Sequence, residues 1–266
     1  MAIAFSGQAQ WKVMTYNIRN SRADDGVNNW EHRKHRLIHL IQQANPDIVG
    51  TQEVLKDQLQ FLKQSLQDYS AFGVGRNNGK HAGEHSAVFY RTGQFEKLDG
   101  GNFWLSQTPK KPGSIGWDAA ITRICTWLQL KERNTGQVFF VFNTHFDHKG
   151  KQARIKSAEL LRYTMDSLAG NMPVVVIGDF NFTPVSEGYR TMLAPSATAT
   201  LRDAYTPPAP DFTACGFEVT NNNCSRIDYI FYSRHFKCTR YTLHNENDGT
   251  FYPSDHCAVG ADFVIE

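Results

Sequence analysis

The residues best suited to chemistry stand where apolar runs end in polar side chains. The run Val174–Ile177 leads through Gly178 into Asp179, Phe180 and Asn181, so an acid and an amide leave a buried strand together. A strand end is rigid and holds such a pair in a defined geometry. Polar residues end or begin other apolar runs in the same way, at Glu53, at Asn143 with His145, and at Asp255 with His256.

Carboxylates, amides and imidazoles at several strand ends suit metal-assisted hydrolysis of a phosphate ester better than a simple ligand pocket. Glu53 and Asp255 are hard oxygen ligands for Mg²⁺ or Mn²⁺, and Asn17 adds a neutral oxygen. His256 is a candidate base or phosphate-facing acid, and Asp228, which interrupts an apolar strand, is the candidate that orients it.

Asp179 and Asn181 are expected to orient the attacking water or the leaving group, and His145 to contact the phosphate or protonate the leaving oxygen. Simpler explanations exist for most of these residues taken singly. Glu53 alone fits a helix cap, and Asp228 alone fits a half-exposed strand. Their joint occurrence at strand ends is what favours a hydrolytic site.

The periodicity of apolar residues predicts the helices and strands that must position these residues. The predicted strands outnumber the predicted helices. This pattern favours two packed sheets with helices outside over a doubly wound sheet. Residues 194–212, rich in Pro, Ala and Thr, are predicted to be a surface loop. The predicted helices are Trp30–Ala44, one marked by Leu55, Leu59, Leu62 and Leu66, and Gln152–Leu168. The predicted strands are Lys12–Ile18, a strand ending at Glu53, Ser86–Arg91, Phe95–Leu105, Ile121–Lys131, Gln137–His145, the run from Val174, Arg226–Ser233, Phe236–Leu243 and Cys257–Ile265.

Size and composition indicate a soluble globular protein, with residues 1–266 forming a single domain and a monomer expected. The net charge of +2 neither predicts nor excludes a nucleic-acid partner. No apolar run is long enough to insert into a membrane. Met1–Gln10 does not resemble an intact signal peptide, so the cytoplasm is the default compartment, with export if a signal was removed.

The five cysteines include no CxxC pair, so a structural zinc site is not expected. Cys215 and Cys224 flank the polar segment Asn221–Asn223 and are close enough in sequence to form a bridge. We favour the alternative that all five cysteines are reduced. No GxSxG elbow occurs in the sequence, which argues against a serine esterase.

Six short motifs in a fixed order resemble the signature of the endonuclease/exonuclease/phosphatase superfamily. They are YNIR, QE, NTH, GDFN, RIDYI and SDH, and they extend from Asn17 to His256. The resemblance implies a DNase I-like α/β fold, a four-layer sandwich of two packed mixed β-sheets flanked by helices. Bacterial members also share Trp30, Arg33, the GVGR, FWLS and GWD segments and the Gly-Glu pair at 83–84.

The resemblance also implies roles. Glu53 looks like the principal metal carboxylate, with Asn17 beside it and Asp255 completing the set. Asp179 and Asn181 look like the pair that positions nucleophile and phosphate, His256 with Asp228 like the His–Asp dyad, and His145 like the second active-site histidine. The implied function is a Mg²⁺- or Mn²⁺-dependent phosphoester hydrolase, in first place a phosphodiesterase. The alternatives are a phosphomonoesterase acting on a sugar, inositol or lipid headgroup, a nuclease acting on DNA or RNA, and a binding module without catalysis.

Residues further from the reaction centre are expected to select the substrate, whose identity the sequence leaves open. Arg123 is either a bidentate phosphate ligand or a surface arginine, and Trp117 is expected at the rim. His148 lies in a small basic cluster, and Asn143 of the NTH motif is placed with the substrate-binding residues. Trp30 is expected to pack on the core rather than stack on a base. The absence of a dense basic stripe favours a small or flexible phosphoester over a long nucleic acid.

Overall fold

Two six-stranded β-sheets form the centre of the computed structural model, which describes residues 10–196 and 200–266. Within these residues the strands are β1 (Gln10–Asn17), β2 (Ile48–Val54), β3 (Tyr69–Phe72), β4 (His85–Arg91), β5 (Phe95–Trp104), β6 (Ile124–Glu132), β7 (Val138–His145), β8 (Val174–Asp179), β9 (Leu201–Asp203), β10 (Asp228–Ser233), β11 (Phe236–His244) and β12 (Ala258–Ile265). The α-helices are α1 (Trp30–Ala44), α2 (Lys56–Ser65), α3 (Lys151–Ala169) and α4 (Glu187–Leu193).

Both sheets are mixed and are built around one parallel pair each. The first sheet has the order β11-β12-β1-β2-β4-β3, and the second has the order β5-β6-β7-β8-β10-β9. The parallel pairs are β1 with β2 and β7 with β8, and α1 and α3 make their crossover connections. The carboxyl ends of both parallel pairs therefore carry the polar residues that follow the apolar runs.

Three apolar cores separate the layers. Val13 and Ile177 belong to the core between the two sheets, where Gly50 allows a close approach because a Cβ there would lie 2.4 Å from Ile177. The helices α1 and α2 pack on the outer face of the first sheet, and α3 and α4 pack on that of the second. The predicted four-layer α/β sandwich of two mixed sheets flanked by helices is therefore confirmed.

Helix α1 has the bounds that its sequence predicts. Leu37, Leu40 and Ile41 are spaced to form one buried stripe. The helix ends at Asn45, which adopts the left-handed conformation (φ 51°) directly before Pro46. Burying each such leucine or isoleucine contributes roughly 1.5–3 kcal/mol, so the stripe fixes the helix on the sheet.

The sequence did not predict the shortest helices and strands. The predicted loop 194–212 contains strand β9, and Leu201 and Ala204 in it are buried, so this prediction is wrong for its described part; residues 197–199 lie outside the described residues. A three-residue strand is too short to show alternation and forms because it pairs with β10. Strand β3 and helix α4 were missed as well, although Ser186 caps α4 by accepting a hydrogen bond from the Tyr189 N–H at 3.1 Å.

The expectation of five reduced cysteines is wrong, because Cys215 and Cys224 form a disulfide. Ala214 and Ser225 are paired through two backbone hydrogen bonds of 2.9 Å, and this pairing brings the adjacent cysteines together. Cys125, Cys238 and Cys257 are free thiols.

None of the helices in the described ranges combines the length and apolarity that crossing a membrane requires. The segment Met1–Ala9 is not described, and with it most of the N-terminal segment considered as a signal. The single-domain organisation, the monomeric state and the compartment stay predictions.

Candidate active site

Strand register in the second sheet aligns three titratable side chains. His145 of β7 is paired with Asp179 of β8, and Asp179 is paired with Asp228 of β10. Directly paired residues on neighbouring strands have Cβ atoms about 4.5–5.5 Å apart and face the same side of the sheet. Gly178 permits this strand end, because it has a φ of 151° and a Cβ there would lie 2.2 Å from the Thr144 carbonyl oxygen.

The first sheet contributes Asn17 and Glu53 from the ends of its parallel strands. The β2–β4 register shifts between Thr51 and Val54, and Glu53 in this bulge has a φ of 63°. The Asn17 amide donates to Glu53 Oε1 at 3.2 Å and to Asp179 Oδ2 at 3.0 Å. Asn17 thereby links the two sheets across the base of the site.

His256 and Asp228 form a hydrogen-bonded pair. Nδ1 of His256 lies 2.8 Å from Asp228 Oδ2, and its Nε2 lies 3.9 Å from Asp179 Oδ2. Burial alone would lower the pKa of His256, but the charge and hydrogen bond of Asp228, with the charge of Asp179, raise that pKa well above its ordinary value. These contacts therefore favour the protonated form of His256.

Asp179 accepts hydrogen bonds from the neutral groups of Asn17 and Asn181. Burial, followed by the nearby charge of Asp228, raises the pKa of Asp179 to about 7. The charge of His256 opposes this rise most, followed by Asn17 and by the Asn181 N–H, which donates to Asp179 Oδ1 at 2.9 Å. A carboxyl group with a pKa near neutrality is suited to exchange a proton with water.

His145 is held as a neutral imidazole. Its Nε2 lies 3.3 Å from Asp179 Oδ2. Burial, followed by the positive charge of Arg123, lowers the pKa of His145 well below its ordinary value. Its Nδ1 is buried and makes no hydrogen bond within the described residues. His145 thus fits a hydrogen-bonding role better than the predicted transfer of a proton to the leaving oxygen.

Glu53 and Asp255 are the candidate metal carboxylates. Glu53 Oε2 accepts from the backbone N–H of Asn20 at 3.1 Å and from its amide at 3.0 Å. Burial would raise the pKa of Glu53, but these hydrogen bonds outweigh burial and lower it. Burial raises the pKa of Asp255, and the charge of Glu53 adds to this rise. Two half-buried carboxylates whose charges repel each other fit a hard dication, because a dication would relieve their repulsion.

The side-chain amide of Asn17 has the opposite orientation from the one in which its oxygen would bind a metal. Its Oδ1 accepts from the Arg19 N–H at 3.0 Å, so its amide nitrogen faces the carboxylates. A ligand role for Asn17 requires this amide to rotate. Arg19 Nη1 lies 3.7 Å from Asp255 Oδ2 and partly neutralises that carboxylate.

One group of three possible metal-ligating residues is found in the part of the chain that the structure describes. It consists of Asp179, Asp228 and His256, whose ligand atoms lie within 4.8 Å of one another. Two of its members already share a hydrogen bond of 2.8 Å. We therefore interpret this group as a dyad beside an acid.

Arg123 is not the surface arginine that the sequence left open as an alternative. Its side chain is 4% exposed, and Nη2 lies 3.0 Å from His148 Nδ1. Nε is 3.6 Å from Asp147 Oδ2, but neither Nε nor Nη1 forms a hydrogen bond with the described residues. Because an incompletely paired buried guanidinium is costly, its position beside Asp179 suits a bound anion.

Two other predicted substrate residues lie nearby with different exposure. His148 is exposed, and its Nδ1 accepts from Arg123, so it orients that guanidinium. Burial and the charge of Arg123 lower the pKa of His148, which matches an accepting, neutral ring. Trp117 is half-buried with a φ of 51°, and its backbone N–H donates to Gln107 Oε1 at 3.2 Å. Its place at the rim stays a prediction.

Asn143 does not reach the open part of the site. It is fully buried, and its amide donates to the carbonyl oxygens of Thr51 at 3.0 Å and Ala87 at 2.9 Å. Its oxygen accepts from Gln52 at 2.7 Å. The prediction that Asn143 binds substrate is therefore corrected: this side chain fastens β7 to the first sheet.

Several supporting residues were missed in the sequence. Arg33, noted there without a role, is fully buried and donates to Ile18 O at 2.6 Å, Arg19 O at 2.7 Å and Pro253 O at 3.2 Å. It thus ties the loop after β1 to the segment that carries Asp255. A charged residue on the buried face of α1 was the signal. No sequence signal indicated Thr213, whose Oγ1 accepts from the backbone N–H of Asp228 at 3.0 Å.

Comparisons with known proteins agree with this geometry. A model described as the Endonuclease/Exonuclease/phosphatase family matches residues 14–256. An endonuclease/exonuclease/phosphatase from Bacteroides vulgatus has 37% identity and a TM-score of 0.91, covering 97% of this chain and 100% of that one. A mannosyl-6-phosphatase from Bacteroides thetaiotaomicron has 36% identity and a TM-score of 0.87, covering 96% of this chain and 100% of that one.

Nocturnin from Rattus norvegicus is 27% identical over 95% of this chain and 65% of its own length. Nocturnin from Drosophila melanogaster is 24% identical over 96% of this chain and 46% of its own length. The chain thus spans about half to two thirds of these curated relatives. Since the family model covers nearly all of the two-sheet sandwich and every residue of the candidate site, the protein belongs to the Endonuclease/Exonuclease/phosphatase family.

Proposed function

We propose that the protein is a divalent-metal-dependent phosphoester hydrolase whose substrate is a phosphomonoester, in first place a phosphorylated sugar. One observation carries the proposal of hydrolysis. His256 is 2.8 Å from Asp228 and 3.9 Å from Asp179, which combines a protonated imidazole with a carboxyl group of pKa about 7 in one site. Such a pair supplies one acid and one base for attack of water on phosphorus.

Glu53 and Asp255 would hold the cation, joined by Asn17 if its amide rotates. A bound Mg²⁺ or Mn²⁺ would supply Lewis-acid stabilisation of the phosphoryl oxygens. The hydrogen bonds from Asn20 keep Glu53 ionised and oriented. Because hard oxygen ligands from few protein residues suffice for Mg²⁺, this small set is adequate.

Asp179 is the proposed base, held by the Asn17 amide at 3.0 Å and the Asn181 N–H at 2.9 Å. His256, protonated through its contact with Asp228, donates to the phosphate or the leaving oxygen. His145 is neutral and orients Asp179. We therefore propose the aspartate as the base, a choice that the sequence left open.

The charge of the site favours a monoester over the diester that the sequence put first. Near pH 7 a phosphomonoester carries about −1.5 to −2 charges. The buried Arg123 has free donors, and the imidazolium of His256 adds a second positive charge near Asp179. The 36% identity to a protein described as a mannosyl-6-phosphatase supports the same class of substrate.

The test is a panel of phosphoesters with Mg²⁺ or Mn²⁺. It includes mannose 6-phosphate, glucose 6-phosphate, p-nitrophenyl phosphate, bis-p-nitrophenyl phosphate and a short oligonucleotide. Asp179→Ala and His256→Ala are compared with the exposed controls Asp68→Ala and His39→Ala. We expect monoester turnover that EDTA abolishes, that the first two variants reduce by about 10²–10⁴-fold, and that the controls preserve.

Two outcomes would overturn parts of the proposal. Turnover that survives both EDTA and the two site variants contradicts the metal-dependent mechanism. Cleavage of the diester or oligonucleotide without cleavage of any monoester contradicts the substrate class and restores the phosphodiesterase alternative.

A further inference from the structure

A groove of about 390 Å³ opens beside Asn181, between the start of α3 and the segment that leads into α4. Its size lies in the range of small-molecule sites. Asn181 connects the groove to the candidate active site, because it lines the groove and its backbone N–H donates to Asp179 Oδ1 at 2.9 Å. A substrate that reacts at Asp179 can therefore extend into this groove.

The groove is rich in positive charge. Lys151, Arg154 and Arg190 line it, against the single acid Glu187. Within the described residues none of these three cations forms an ion pair with a carboxylate. Their charges are therefore available to an anion at short range.

Backbone contacts hold the two guanidinium groups in place. Arg154 Nη1 donates to the Asp147 carbonyl oxygen at 3.0 Å, and Arg190 Nη1 donates to the Val185 carbonyl oxygen at 2.8 Å. A guanidinium that is already oriented loses little conformational freedom when it binds a ligand. The lysine supplies a flexible third charge.

The observed side chains favour an anion over an uncharged sugar. Sugar hydroxyls need acceptors as well as donors, and Glu187 is the one carboxylate among the lining residues. The Ser186 hydroxyl already accepts from the Tyr189 N–H at 3.1 Å. Guanidinium and ammonium groups match the oxygens of a phosphate.

We propose that this groove binds a second phosphate group of the substrate, so that the preferred substrate carries another phosphate on the alcohol side of the scissile ester. The proposal rests on the phosphoester hydrolysis argued above and narrows its substrate class. A bisphosphorylated sugar and the backbone of a short polynucleotide share this chemistry.

The experiment compares kcat/KM for glucose 6-phosphate, glucose 1,6-bisphosphate and a 5′-phosphorylated dinucleotide. The proteins are wild type, Lys151→Gln, Arg190→Gln, Glu187→Gln and the control Lys156→Gln, which lies on the same helix and pairs with Glu159. We expect the wild type to favour one of the doubly charged substrates over the monophosphate. Lys151→Gln and Arg190→Gln should each lower that ratio by about tenfold, chiefly through KM.

Glu187→Gln should raise the ratio, because it removes the acid that repels the second phosphate, and Lys156→Gln should leave it unchanged. Melting temperatures identify any variant that fails to fold. Two ratios of kcat/KM are compared, that of glucose 1,6-bisphosphate and that of the dinucleotide, each relative to glucose 6-phosphate. The larger ratio shows whether the second phosphate belongs to a sugar or to a polynucleotide backbone.

Equal kcat/KM for singly and doubly phosphorylated substrates, or equal losses on both in the variants, would overturn the groove assignment while leaving hydrolysis intact. Absence of turnover on every phosphoester would instead reject the proposed function. In that case, titration of Asp179→Ala with glucose 1,6-bisphosphate still tests the groove. Binding that Lys151→Gln does not weaken would reject it.

Discussion

At the scale of single residues, the hydrogen bonds and charges around a side chain distinguish the roles of two similar acids. Asp179 and Asp228 are both buried acids at paired positions of neighbouring strands. Asp228 is committed to His256 through a 2.8 Å hydrogen bond, whereas Asp179 is left with a pKa of about 7. A carboxyl group whose pKa lies near neutrality is typical of acid–base sites.

Replacing Asp228 by Asn is expected to shift the pH profile. Despite burial, the carboxylate of Asp228 raises the pKa of His256 well above its usual range, so the imidazolium persists at neutral pH and is lost as pH rises through that pKa. Without this charge the pKa falls, and the basic limb of kcat/KM against pH moves to lower pH. Movement of the acidic limb instead would make His256 the base.

Replacing Asn143 by Ala is expected to lower stability and to change KM little. The variant leaves the carbonyl oxygens of Thr51 and Ala87 and the amide of Gln52 without their buried partner. The free energy of unfolding should fall by about 2–3 kcal/mol in urea titration. Asn134→Ala, in an exposed turn, is the matched control. A large rise in KM at unchanged stability would restore a substrate contact for Asn143.

At the scale of elements, strained backbone and buried ties shape the segments that carry the site. Glu53, Asn181, Arg19 and Trp117 have φ values of 63°, 50°, 54° and 51°, a conformation that side chains other than glycine rarely adopt. The contacts of Arg33 to the loop after β1 and to Pro253 stabilise two of these segments together. The strained backbone thus lies in the segments that orient the candidate functional side chains.

The segment closed by Cys215 and Cys224 forms backbone hydrogen bonds with the segment that carries Asp255 and His256. The N–H groups of Cys215 and Gly216 donate to the Asp255 carbonyl oxygen at 3.2 and 3.0 Å. Just before this segment, Thr213 O accepts from Cys257 N at 2.7 Å, so residues 213–216 pair with the backbone on both sides of His256. Opening the disulfide therefore loosens the support of Asp255 and His256.

The double variant Cys215→Ser/Cys224→Ser is expected to be less stable and less active. A sequence separation of 9 corresponds to about 2–3 kcal/mol of loop-closure free energy. The melting temperature should fall, and kcat should fall with it at temperatures where the variant is still folded. Cys238→Ser, at a free and half-buried thiol, controls for the substitution itself. An unchanged melting temperature would show that the bridge contributes nothing to the fold.

At the scale of the whole molecule, the site exists because two sheets pack face to face and bring the ends of their parallel strands together. The first sheet supplies Glu53 and Asn17, the second supplies His145, Asp179 and Asp228. Neither sheet alone holds a complete set of groups for hydrolysis. A cation at the junction is therefore expected to stabilise the folded protein as well as to support catalysis.

Addition of Mg²⁺ is expected to raise the melting temperature. A ligand that binds only the folded state stabilises it by about 2.7 kcal/mol at a hundredfold excess over its Kd. Glu53→Gln should remove this Mg²⁺-dependent increment, and the exposed Glu31→Gln should retain it. A Mg²⁺ response that persists in Glu53→Gln would place the cation elsewhere, with the group of Asp179, Asp228 and His256 as the first alternative.

Long, strongly patterned segments were predictable. The helix Trp30–Ala44 and most strands follow from apolar spacing, and the order of polar strand ends indicated which residues to examine. Strand β9 was not predictable, because three residues carry no period and their stability comes from pairing with β10. The disulfide likewise depends on the pairing of Ala214 with Ser225, which sequence spacing does not reveal.

The sequence alone determined the family resemblance, the layered α/β architecture and the candidate residues, because these depend on residue type, period and order. The predicted pairing of Asp228 with His256 is confirmed, whereas tertiary structure alone decided that Asn143 is a tie between sheets and that Arg123 is a buried cation with free donors. The physical reason is that periodicity shows which side chains share a face. Packing of two distant faces decides which of those side chains lose water, find a partner and change their pKa.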